Sequence, residues 1–123
     1  MFVSEITCGE DPNARKRCWM NDWETHSRVV HATSSNVEGP YRRAETVLHP
    51  EHHNPSVHVS PQTGDWHLFS ISGPTGPIER MISGDKGKTW GNPTTVSPRQ
   101  NPGPLLREDG SAYLFYAATG WTC

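Results

Sequence analysis

Apolar and β-branched residues come in short runs, broken at short intervals by Gly, Pro, Asn, Asp and Ser. Such runs, alternating in part and rich in Val, Ile, Thr, Tyr, Phe and Trp, are the signature of half-buried strands. They predict strands over residues 1–6, 28–34, 54–59, 66–71, 78–83, 93–96, 101–107 and 111–117. A further strand starts at Gly39-Pro40-Tyr41 and runs to about Leu48. Gln62-Thr63-Gly64-Asp65 and Gly73-Pro74-Thr75-Gly76-Pro77 are made of strong chain punctuators and predict turns. Residues 49–53 read as a linker, and 7–27 as a long polar insertion carrying Trp19 and Trp23. No stretch carries a helical period. The pattern predicts an all-β chain.

The strands repeat. Asn54-Pro55 recurs as Asn101-Pro102, an offset of 47, while Gly64 recurs as Gly110 and Leu68-Phe69 as Leu114-Phe115, each an offset of 46. A fainter echo links Ser35 to Ser83: in both places a Gly follows after three residues, and an aromatic (Tyr41, Trp90) follows the Gly. A period of roughly 40–50 residues with short strands suits the four-stranded blade of a β-propeller.

The most informative stretch is Ser83-Gly84-Asp85-Lys86-Gly87-Lys88-Thr89-Trp90. Asp85 is placed to accept hydrogen bonds from turn amides, and Gly87 can supply a positive φ. Thr89 resumes the extended chain, and Trp90 offers a large ring to wedge against a neighbouring sheet. The pattern Ser-x-Asp-x-Gly-x-Thr-Trp resembles the Asp box of sialidases and related β-propellers. In those folds the box closes the hairpin between the third and fourth strands of a blade, opposite the active face, so the resemblance assigns Ser83, Asp85, Gly87 and Trp90 a structural part.

Residues 27–35, Glu38-Gly39-Pro40-Tyr41, His53-Asn54-Pro55, Gly64 and Leu68-Phe69 together resemble the five-bladed propeller glycoside hydrolases. They are most similar to the family 43-like proteins and the levanase/invertase group. The resemblance spans most of the chain and implies about two and a half four-stranded blades, hence a propeller fragment. One partial domain would cover 1–123, with blade ends near 48 and 97. It places 7–27, 49–54, 73–77 and 98–101 on one face and the 83–90 turn on the other.

That resemblance further implies hydrolysis of a glycosidic bond by carboxylates at the starts of the innermost strands. Here the chain departs from the family, because Asn54-Pro55 and Asn101-Pro102 stand where Asp-Pro is expected. An amide cannot take up a proton at neutral pH, so neither Asn serves as a base, but both can bond sugar hydroxyls. Glu51 is the catalytic candidate nearest the funnel, while Glu10, Asp11, Asp22 and Glu24 lie in the insertion. His53, Asn54 and Asn101 are the expected substrate contacts. Trp19 and Trp23 would either stack on a sugar ring at the rim or pin the insertion to its blade. The alternative reading is a propeller without catalysis that binds glycan or protein.

Composition narrows the rest. Eleven Gly and 11 Pro among 123 residues suit many turns, and the formal charge of −2 argues against a nucleic-acid partner. No run of 18 apolar residues exists to span a membrane as a helix. Residues 1–5 lack the basic start and apolar centre of a signal peptide. Cys8 and Cys18 flank one loop and could pair, leaving Cys123 odd; this arithmetic fits an extracellular fragment and no zinc spacing. His49, His52, His53 and His58 could hold a metal, but surface or sugar-bonding groups in a polar linker are the simpler expectation. No cofactor is expected. The glycines around Lys86 lack the spacing of a phosphate loop.

Overall fold

The computed structural model describes residues 1–7, 26–49, 51–74 and 76–117. Nine antiparallel strands form three separate sheets among these residues, with no helical element. Sheet 1 is β1 (Phe2–Ile6), β2 (Ser27–Thr33) and β3 (Arg42–Leu48). Sheet 2 is β4 (His52–Val59), β5 (Trp66–Ser72), β6 (Ile78–Ser83) and β7 (Thr94–Ser97), in chain order. Sheet 3 is β8 (Gln100–Leu106) and β9 (Ala112–Ala117). The three do not close into a barrel or a ring among the described residues.

The expected linker at 49–53 is shorter than its composition suggests, because His52 and His53 already pair with Ser72 and Ile71. Polar residues join a strand readily when the neighbour offers a ladder of amides and carbonyls. By contrast β3 starts later than expected, at Arg42 rather than Gly39.

Sheet 2 sits between the other two. Its β4 packs on β1 and β2 of sheet 1, and β4 and β5 pack on β8 of sheet 3. Leu68 and Ile71 lie an odd number of residues apart on β5, so they point to opposite faces, yet both are fully buried. Val29 of β2 and Ile78 of β6 are buried as completely. Each such side chain contributes about 1.5–3 kcal/mol through its removal from water.

The 83–90 turn joins β6 to β7 and is held by side chains. Ser83 Oγ donates to Asp85 Oδ1 (2.7 Å) and accepts from the Gly87 amide (2.8 Å). Asp85 accepts from the Thr89 amide (2.8 Å) and hydroxyl (2.7 Å). Gly87 takes a φ of +84°, and a Cβ there would press on the Trp66 and Trp90 rings. Phe2 of sheet 1 meets both rings edge-on, at 6.3 Å and 5.8 Å between centroids, and stacks on His31 at 4.6 Å. The turn therefore fastens sheet 2 to sheet 1.

The turn from β2 to β3 repeats part of this chemistry one residue out of the expected phase. Ser34 Oγ accepts from the Asn36 amide (3.1 Å), Asn36 Oδ1 accepts from the Glu38 amide (3.2 Å), and Gly39 has φ +90°. Ser34 Oγ thus takes the amide two residues on, as Ser83 Oγ takes that of Asp85 (3.4 Å).

Candidate functional site

The repeat becomes a site where β4 and β8 begin. Both strands carry a bulge against their hairpin partner, between His53 and Ser56 in β4 and between Gln100 and Gly103 in β8. Asn54 and Asn101 occupy these bulges with φ of +51° and +56°. Asn tolerates the left-handed region better than most side chains, and the following proline cannot donate to the ladder, so the Asn-Pro pair suits a bulge.

The bulges bring the two asparagines together. Asn54 Nδ2 donates to Asn101 Oδ1 at 2.5 Å, and the Asn54 amide donates to Ser4 Oγ of β1 at 2.9 Å. One residue thus ties all three sheets. Both asparagines stay exposed, leaving Asn54 Oδ1 as an acceptor and Asn101 Nδ2 as a donor.

His53 lies beneath this surface, only 2 % exposed and opposite Ile71, so it is a buried wall and not an open contact. Burial, then the neighbouring His52, pushes its pKa down to about 4, which keeps the ring neutral near pH 7. His52 points to the other side of the strand. Its Nδ1 lies 3.2 Å from the His49 carbonyl, and its Nε2 lies 3.7 Å from Glu79 Oε2. His58 is further along β4, with Nε2 beside Ser56 Oγ (2.9 Å). Strand alternation therefore divides the histidines, and no cluster of three metal-binding side chains exists among the described residues.

The carboxylates are scattered. Glu51, with φ +75°, is exposed, and its carbonyl accepts from the Gly73 amide. Glu79 is held beside His52. Glu5 is paired with Arg28 (2.5 Å) and Arg43 (3.4 Å). Gln100 Nε2 reaches the Pro74 carbonyl at 3.4 Å, linking the start of β8 to the 73–77 turn. Trp19, Trp23, Glu10, Asp11, Asp22, Glu24 and the three cysteines lie outside the described residues.

Sequence reasoning brings out His53, Asn54, Asn101 and Glu51 but misses Glu79 and Ser4. Glu79 is the second residue of β6 and pairs with Ser70 near the end of β5; an acid at a strand start on the linker side was a usable signal. Ser4 offers none, since its part depends on β1 packing against β4. Comparison with protein-family models, curated proteins and solved structures found no match to this chain.

Proposed function

We propose that the chain is part of a β-propeller of the glycoside hydrolase type and binds a carbohydrate where β4 and β8 begin. The observation that carries this reading is the exposed Asn54–Asn101 amide pair at equivalent bulges of two repeated strands. The acceptor of Asn54 and the donor of Asn101 that this bond leaves over suit sugar hydroxyls, and a neutral buried His53 beneath them adds no charge.

The propeller part is supported by the four-strand meander of sheet 2, the packing of its β4 and β5 on strands of sheets 1 and 3, and an Asp-box-like turn that grips the neighbouring sheet. Three sheets are fewer than the four or more of a closed ring, so this reading requires further blades in the parent protein.

Binding is favoured over hydrolysis because amides stand at both inner strand starts. One observation keeps hydrolysis as a second reading: Glu79 sits beside His52 at the same sheet end. It would need a second carboxylate roughly 5–10 Å away.

A glycan array followed by calorimetry on the strongest hit tests the proposal. Asn101→Gly keeps the left-handed backbone and is expected to weaken binding at least about tenfold, or ~1.4 kcal/mol. Absence of binding to any glycan, or binding indifferent to Asn101→Gly, overturns it. Release of reducing sugar that is lost in Glu79→Gln would favour the hydrolytic reading instead.

A further inference from the structure

We propose that Ser4 is a positioning residue for the amide pair: it holds the backbone of Asn54, and through it the side chain that holds Asn101. The proposal deepens the carbohydrate reading and rests on it for what the pair binds.

The bulge in β4 creates the need. Between the pairs His53–Ile71 and Ser56–Phe69, Asn54 and Pro55 have no partner on β5. Pro55 has no amide, but that of Asn54 is turned off the ladder at φ +51° and needs an acceptor elsewhere. Ser4 Oγ supplies it at 2.9 Å, from a strand of another sheet and 50 positions away in sequence.

The pair is asymmetric. Asn101 sits in the matching bulge at φ +56°, yet no side chain accepts from its amide among the described residues. The bond that fixes its side chain comes from Asn54 Nδ2. Order therefore runs one way, from Ser4 to Asn54 to Asn101.

Left-handed backbone is uphill for any residue with a Cβ, and the Ser4 bond offsets that cost. Without the bond, extended backbone is favoured at Asn54. That change turns its Cα–Cβ bond and takes Nδ2 out of reach of Asn101. Ser4 is exposed, so removing its hydroxyl opens no hole in the core.

Amide hydrogen exchange of the full chain, followed by NMR, tests this. Ser4→Ala is expected to speed exchange of the Asn54 amide at least about tenfold and to shift the side-chain amide signals of Asn101, with the strand circular dichroism unchanged. Ser4→Thr keeps the hydroxyl on a strand-favouring side chain and is expected to restore both. Ser4→Cys, whose sulfur is a poorer acceptor, is expected to fall between Ala and Thr. Asn101→Gly is expected to leave the Asn54 amide protected. Against the strongest glycan of the array, Ser4→Ala is expected to weaken binding about three- to tenfold, and to combine with Asn101→Gly to less than the sum of the two. An Asn54 amide that exchanges no faster in Ser4→Ala, a loss that Ser4→Thr does not restore, or fully additive losses of binding would each overturn the proposal. If no glycan binds, the carbohydrate reading falls, while the Asn54 exchange and the Asn101 signals still decide whether Ser4 sets the pair.

Discussion

The side chain of Asn54 donates to that of Asn101 at 2.5 Å, joining residues 47 positions apart that share a left-handed backbone. Each is therefore doing two things, sustaining a bulge and bridging two sheets. The contributions separate by substitution. Asn101→Gly removes the exposed bond and is expected to cost about 0.5 kcal/mol. Asn101→Ala removes the same bond and also forces an alanine into the left-handed region, adding about 1–2 kcal/mol. Urea midpoints for the two variants, compared at constant slope, check the difference.

Gly87 and Gly64 make a matched pair. Both have positive φ, +84° and +78°, but an added Cβ at Gly87 would meet Trp66 at 3.2 Å and Trp90 at 3.4 Å, while at Gly64 it meets nothing within 4 Å. Gly64→Ala is expected to cost about 1 kcal/mol, from the backbone alone. Gly87→Ala is expected to cost about 2–3 kcal/mol, because the aromatic rings linking sheets 1 and 2 must shift. Thermal or urea unfolding ranks the two.

Asp85 makes the 83–90 turn sensitive to acid. The Thr89 amide and hydroxyl, then the Ser83 hydroxyl, hold its pKa down to about 2 from 3.8. A carboxylate depressed by folding lends stability above its unfolded value and loses it as pH falls towards the folded one. The stability of the chain is therefore expected to fall between pH 4 and pH 2. Asp109, lowered by the Ser111 hydroxyl and amide, acts in the same direction. Asp85→Asn is expected to flatten this limb in unfolding curves measured across the window.

His53 governs a higher range. Its folded pKa of about 4 lies below the usual 6.5, so the unfolded chain binds more protons between these values. The contribution of a neutral His53 is complete above pH 6.5 and declines as pH falls through about 4. His67, lowered by burial and then by Arg80, adds to the same trend. The ring-proton NMR signal of His53 is expected to stay neutral at pH 5.5, and a normal titration near 6.5 would refute the buried placement.

The strands were largely legible because this chain marks its turns with Gly, Pro, Asn and Asp, and those residues act locally. Residues 66–71 and 78–83 come within one residue of β5 and β6. The start of β4 was less legible, since His52 and His53 look like linker until their partners Ser72 and Ile71 are known. Of the site, the two asparagines were visible through their repeat. The burial of His53, the Glu79–His52 contact and the bond to Ser4 were not, because each depends on a neighbour from another strand.

What the sequence determined by itself is the all-β class, the period that pairs Asn54 with Asn101, and the local chemistry of the 83–90 turn. These follow from φ preferences and short-range hydrogen bonds, which a few consecutive residues settle. The tertiary structure alone decided which asparagine atoms meet, which histidine is buried, and that Phe69 is covered while Phe115 is bare. The physical reason is that burial and side-chain partnership belong to the packing of one sheet on the next, which no short stretch of sequence encodes by itself.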